Sequence, residues 1–208
     1  MPKHLIFDFD GTLADSFGVV ISLFHEMTGD KHKLDAAAIE SLRGLPAGQV
    51  LKRLGIPLWR GPFMLARGRK LMHGRVGELQ AFPGLPEVLA ALHERGHVMY
   101  ILSSNSAENI NVFLRQQGMA AYFSAIYGNV GLFSKARTMR KVIRTNRIEK
   151  ADCIYIGDEA RDVHAAVRVG MACIAVSWGY NTPLALRTAG ADEVAATPQD
   201  LLRLLEDA

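Results

Sequence analysis

The sequence predicts an α/β fold, a Rossmann-like parallel sheet with helices on both faces, carrying an inserted all-helical subdomain. Three observations predict it. From Phe82 onward, short continuous apolar runs alternate with segments of helical period. Fully apolar strands separated by helices belong to parallel sheets that are covered on both sides. Residues from about 30 to 81 instead carry short helical patterns broken by Gly and Pro, with no strand signal. Finally, polar residues collect where the apolar runs end, and parallel sheets bind ligands beyond the carboxyl ends of their strands.

Each element follows from local pattern. Leu5-Ile6-Phe7 reads as a short buried strand that stops at Asp8. Residues 15–29 read as a helix, with Phe17, Val20, Ile21 and Phe24 on one face. Helical patterns follow at Asp35–Leu42, Ala47–Leu54 and Phe63–Val76. The flanks of this stretch, near Asp15–Ser16 and Ala81–Pro83, are the expected hinges, so the division is 1–15 plus 82–208 for the core and 16–81 for the insert. Pro86–Glu94 is a helix that ends at Gly96, and Val98–Leu102 is an apolar strand. Ser106 caps a helix that runs to about Gln117. Ala125–Tyr127, Cys153–Ile156 and Ala172–Val176 are strands; Ser134–Asn146 and Arg161–Val169 are helices. Thr182-Pro183 and Thr197-Pro198 each place an N-cap before a proline at the first helical position.

Composition narrows the class. The chain has 208 residues, 49% hydrophobic and 22% charged, enough for one globular core with a modest insert. A net charge of +3 does not by itself point to nucleic acid. Basic residues on the 135–150 segment (Arg137, Arg140, Lys141, Arg144, Arg147, Lys150) and in the insert (Arg60, Arg67, Arg69, Lys70, Arg75) read as solvated faces, because stacking aromatics do not interleave them. No apolar run is long enough to span a membrane. The first residues do not read as a secretory leader, since Asp8 interrupts the apolar run after three residues. Cys153 and Cys173 lie in apolar runs and read as buried free thiols, so the expected setting is reducing and cytoplasmic. Trp59 and Trp178 are the apolar residues expected at the surface of a monomer or homodimer.

The chemistry gathers at strand ends. In Phe7-Asp8-Phe9-Asp10-Gly11-Thr12, Asp8 and Asp10 are two apart and project the same way, and Gly11 lets the chain turn off sharply. The plain alternative is a turn with two solvated carboxylates. A second strand end, Ile156-Gly157-Asp158, is followed by Asp162 one helical turn on; alone, Asp162 is also an ordinary first-turn acid that complements the helix dipole. Lys135 opens a helix that reaches the same edge, and otherwise reads as a surface lysine. One lysine against four acids leaves excess negative charge, so a phosphate dianion needs a metal. Hard oxygen donors without clustered His or Cys favour Mg²⁺ over Zn²⁺. Ser103, Ser104 and Asn105, after the 98–102 strand, offer hydroxyls and backbone N–H groups at a helix start, a phosphate cradle as well as a cap. No Gly-rich nucleotide loop is present.

Taken together these residues resemble the haloacid dehalogenase-like hydrolase superfamily, in its phosphoglycolate phosphatase and β-phosphoglucomutase-like branch. The D-x-D-G-T motif appears as Asp8 to Thr12, the Ser/Thr motif as Ser104 (with Ser103 as the neighbouring choice), the lysine as Lys135, and G-D-x-x-x-D as Gly157 to Asp162. The resemblance implies that Asp8 is the nucleophile and Asp10 the general acid and base. Ser104 and Lys135 would hold phosphate oxygens. Mg²⁺ would bind the Asp8 carboxylate, the Asp10 carbonyl and Asp158, with Asp162 acting through water. Thr12, Ser103, Asn105 and Arg43 are the further substrate contacts implied. The insert resembles the family's small helical cap, in which Arg43 would reach a second anionic group. Arg43 otherwise reads as a solvated helix-end arginine, and His25 of the first helix as a packed histidine. The expected activity is Mg²⁺-dependent hydrolysis of a small anionic phosphorylated substrate. A phosphomutase with the same motifs, or a non-catalytic binding module, are the alternatives. A dehalogenase has no use for a second acid at Asp10. Ser106 stands where phosphoglycolate phosphatases often carry lysine.

Overall fold

A computed structural model of the protein describes residues 2–29, 34–43, 45, 47–131 and 134–206. Gly44 of the Arg43-Gly44 turn lies outside them. Six strands of the described residues form one parallel sheet: β1 (His4–Phe7), β4 (Val98–Leu102), β5 (Phe123–Tyr127), β6 (Cys153–Gly157), β7 (Ala172–Val176) and β8 (Glu193–Ala195). Their order is β5-β4-β1-β6-β7-β8. The chain runs outward from β1 on one side, returns to β6 on the other, and so makes β1 the centre. Register follows from the apolar runs: Phe7 lies opposite Ile101 on one flank and Ile156 on the other.

Alternation along β1 divides the interior. Leu5 and Phe7 face a core shared with α5 (Leu85–Glu94), α6 (Ala107–Gln116) and α10 (Pro198–Glu206). Ile6 faces the opposite core, filled by Met139 and Val142 of α7 (Lys135–Asn146), Val163 and Ala166 of α8 (Ala160–Val169) and Leu186 of α9 (Pro183–Thr188). The expected three-layer arrangement is therefore present. The caps behave as expected: the Ser106 hydroxyl accepts from the Asn109 N–H, the Thr182 hydroxyl from Ala185, and the Thr197 hydroxyl from Asp200.

Between the first and second sheet strands lie α1 (Phe17–Thr28), α2 (Ala36–Leu42), α3 (Ala47–Arg53) and α4 (Gly61–His73). This stretch is not free of strand, as the sequence implies. Gln80–Ala81 forms β3, paired antiparallel with β2 (Ala14–Asp15) where the chain leaves and re-enters the core. Two residues per strand are too few to show an alternation. β8 also departs from expectation, because it is three residues long and opens on Glu193. Trp178 is half-buried: it packs on Phe82 and its indole N–H donates to the Thr12 carbonyl at 3.1 Å. Trp59 is exposed.

Candidate active site

The carboxyl ends of β1, β4 and β6 converge with the first turns of α7 and α8. Asp8 is 2% exposed, Lys135 3%, and Asp158 and Asp162 are fully buried. Asp8 is fixed by two backbone bonds: its N–H donates to the Ile156 carbonyl at 2.8 Å, and its Oδ1 accepts from the Phe9 N–H at 2.8 Å. Lys135 Nζ donates both to Asp8 Oδ2 and to Asp162 Oδ1. Lys135 is thus the hub between two acids rather than a surface cation. It opens α7, so its stem is held by the helix while its head reaches inward.

Asp158 is held from two sides. The Thr12 hydroxyl donates to Oδ1 at 2.9 Å and the Tyr180 N–H to Oδ2 at 2.7 Å. Asp162 accepts from the Glu159 N–H at 3.2 Å as part of the α8 capping box. The carboxylate oxygens of Asp8, Asp158 and Asp162 come within 4.8 Å of one another. Burial, reinforced by Glu159, Asp8 and Asp162, pushes Asp158 well above the usual carboxylate range. Burial also raises Asp162 against the opposing pull of Lys135. For Lys135, burial works against the charge, but Asp162 and Asp8 outweigh it and hold the ammonium protonated. Three hard oxygen donors this close, two of them driven toward protonation, form a site that a divalent cation fits.

Asp10 occupies the adjoining space. Its carboxylate accepts from Asn105 Nδ2 at 3.1 Å. Burial first, and then the charge of Asp8, pushes its pKa up to about 6. Asn105 is in turn held by accepting from the Ser106 N–H and from Asn109 Nδ2. Ser103 and Ser104 separate cleanly. The Ser103 hydroxyl is buried and accepts from the Asn105 N–H at 3.0 Å, whereas Ser104 lines the cavity beside Asp10.

Two close approaches explain local glycines. Gly11 has φ +75°, and a Cβ there would run into the Asp158 carboxylate. At Gly179 a Cβ would meet the same carboxylate and the Gly11 carbonyl. Gly179→Ala is therefore expected to displace Asp158 and raise the half-saturating Mg²⁺ concentration by about 10- to 100-fold, the usual range for disturbing the groups that orient metal ligands. A Mg²⁺ titration of activity checks it, and an unchanged midpoint would refute the role given to this approach.

The insert meets the site through arginines. Arg43 Nη2 donates to the Gly179 carbonyl at 2.6 Å and Nε to that of Tyr180 at 3.2 Å. Its guanidinium is engaged by backbone instead of being presented to an anion. Arg69, read from sequence as solvated, donates to the Ser104 and Val130 carbonyls. Arg137, Arg140, Lys141 and Arg144 do lie on an exposed face. His25 is structural: its Nε2 accepts from the Leu34 N–H at 2.9 Å. Sequence reasoning missed the 178–181 loop. Tyr180 donates to Asp158, and Asn181 accepts from the Ala160 N–H at the start of α8. Only the polar Trp-Gly-Tyr-Asn run after an apolar strand marks it. Arg161, paired with Glu159, was missed as well.

Comparison with known proteins agrees with this geometry. The family model described as "Haloacid dehalogenase-like hydrolase" matches residues 5–176. The chain is 35% identical over 203 residues to a phosphoglycolate phosphatase of Synechococcus elongatus, covering 97% of this chain and 96% of the relative. It is 28% identical to a 5'-nucleotidase of Pseudomonas aeruginosa, covering 98% and 95%. In fold it is similar to the solved structure of a predicted phosphatase from Clostridium acetobutylicum, with TM-score 0.84 at 22% identity over the whole of both chains. The four motifs assembled at one sheet edge, and a family match spanning most of the chain, place it: the protein belongs to the haloacid dehalogenase-like hydrolase family, in the branch of the phosphoglycolate phosphatases.

Proposed function

We propose that the protein hydrolyses a small phosphomonoester through a phosphoaspartate on Asp8, with Mg²⁺ as its cofactor. The protein is a phosphatase, a phosphoric monoester hydrolase. Phosphomonoesters are the class that takes in the substrates named for the two curated relatives.

The observation that carries the reading is the shared use of Lys135 by Asp8 and Asp162, with Asp158 in the same carboxylate cluster and Asp10 alongside. Asp8 attacks phosphorus while Asp10, with its raised pKa, protonates the departing alkoxide. Asp10 then takes the proton from the water that hydrolyses the phosphoaspartate. Lys135 and Ser104 hold the phosphoryl oxygens. Ser103, Thr12 and Asn105 set the positions of Asn105, Asp158 and Asp10 respectively. Asp8, Asp158 and the Asp10 carbonyl would hold Mg²⁺, with Asp162 behind them. When bound, the ion supplies charge neutralisation for the incoming phosphate dianion and for the transition state.

Residues 16–81 act as a cap over the core of 1–15 and 82–208, tied down by Arg43 and Arg69 and entered through the β2–β3 ribbon. Two free buried thiols support a reducing, cytoplasmic setting; burial pushes Cys153 up to about 12. Among the described residues no helix is long and apolar enough to cross a membrane.

Phosphate release from a phosphomonoester panel tests the assignment. Chelation should abolish it and Mg²⁺ restore it. Asp158→Ala should lose both activity and the Mg²⁺ response. If that variant titrates with Mg²⁺ as the wild type does, the ligand set is wrong.

A further inference from the structure

The active site does not end at Asp10. A cavity of about 370 Å³ opens from Asp10, Ser104 and Asn105 and continues into the helical segment. That volume lies within the range of small-molecule sites. Its walls change character with distance from the acids. Phe17, Val20 and Phe24 of α1 and Met64, Leu65 and Met72 of α4, two helices packed against each other, line it together. Ile39 of α2 and Leu51 of α3 line it as well.

The arginines on its walls each have partners among the described residues. Arg43 is bonded to the Gly179 and Tyr180 carbonyls, and Arg69 to those of Ser104 and Val130. Arg161 is paired with Glu159 and keeps one unpartnered donor, Nε, among the described residues. It sits at the start of α8, beside the carboxylate cluster, and so at the phosphoryl end. A charged leaving group reaching past Asp10 would lose its water against carbon, at a cost that no partner on the α1 and α4 walls offsets among the described residues.

We propose that the preferred substrate is a phosphomonoester whose alcohol carries an uncharged, apolar body, seated against α1 and α4 while the phosphate meets Asp8. The inference rests on the phosphatase reading above and adds the class of leaving group. The continuity of the cavity with Asp10 assigns the occupant. The apolar walls begin where the ester oxygen receives its proton, so the body they enclose is the departing alcohol.

An n-alkyl phosphate series from methyl to hexyl tests this on the full chain with Mg²⁺, because the alcohols beyond ethanol differ little in basicity. Each methylene that enters the cavity should raise kcat/KM about fourfold, the factor for burying one CH₂. Hexyl phosphate should exceed ethyl phosphate by roughly 50-fold or more, allowing for saturation of the cavity. Val20→Trp and Leu65→Trp, which fill the space from two different helices, should each flatten the series. A flat series in the wild type, a slope kept in both variants, or phosphoglycolate turned over better than hexyl phosphate would overturn the proposal. Thermal shifts with methyl- and hexylphosphonate, which cannot be hydrolysed, separate it from the phosphatase reading. If no ester is turned over but hexylphosphonate still stabilises the fold more than methylphosphonate, the cavity assignment stands and the catalytic one falls. If neither phosphonate shifts the transition, the cavity assignment falls.

Discussion

Asp8→Asn is expected to reduce turnover by on the order of 10⁶-fold, the scale seen when a covalent nucleophile is removed. The substitution keeps the shape of the side chain, and its carbonyl oxygen can still accept from the Phe9 N–H. Two things are lost. The carboxamide is a poor nucleophile toward phosphorus. Its amino group also turns a donor toward Lys135 Nζ, where the carboxylate accepts. Acid-quenched wild-type protein, caught during turnover, should carry phosphate by mass measurement, and the variant should not. Turnover within about 100-fold of wild type in a verified Asn preparation is far above that expectation and would reject Asp8 as the attacking group.

Lys135→Ala is expected to act on stability as strongly as on rate. Lys135 is 3% exposed, and the acids that it bridges are 2% and 0% exposed. Removing one partner from a buried ion pair costs about 3–5 kcal/mol, because the remaining charge stays buried without compensation. In a domain of this size each kcal/mol moves Tm by about 2–4 °C, so a fall of roughly 6–20 °C follows. Mg²⁺ should raise Tm more in the variant than in the wild type, since it takes up the carboxylates that the lysine has left. The pH dependence has a definite sign. Asp158 and Asp162 are already raised by burial and neighbouring acids, and loss of Lys135 raises Asp162 further. Above the unfolded carboxylate pKa near 4, the folded variant then holds protons that the unfolded chain has released. Its stability falls as pH rises, and its deficit against wild type shrinks on acidification. A Tm within roughly 2 °C of wild type across this range, well short of the predicted fall, would mean that the lysine does not compensate these acids.

What could be read from the sequence was local. The Val98–Leu102 strand, the Ser106 and Thr182 caps and the acids at strand ends each depend on a pattern a few residues long. Asp8 and Asp158 were legible because a carboxylate directly after an apolar run has few structural reasons to be there. What could not be read depends on partners far along the chain. Arg69 looks like any helix-face arginine until its guanidinium meets carbonyls 35 and 61 residues away. Tyr180 acts on Asp158 through its backbone N–H, which carries no signal in residue type. An indole such as that of Trp178 suits either side of a protein boundary, and only its contacts with Thr12 and Phe82 bring it half inside. Ser103 and Ser104 differ by one position, and the strand's alternation turns one into the interior and the other to the cavity.

The central position of β1 also bears on synthesis. Among the described sheet strands β1 comes earliest and waits longest for its second neighbour, since its flanking partners begin at Val98 and Cys153. At ribosomal speeds of about 5–20 residues per second, Leu5, Ile6 and Phe7 wait on the order of ten seconds for their second neighbour. During that interval an apolar segment with unpaired amide edges is exposed in the nascent chain, a binding site for a chaperone and a hazard for aggregation. Asp8, the nucleophile proposed above, directly follows that segment, and Asp158 and Asp162 follow the strand that completes its pairing, so the proposed site cannot assemble until β6 and the start of α8 have been made.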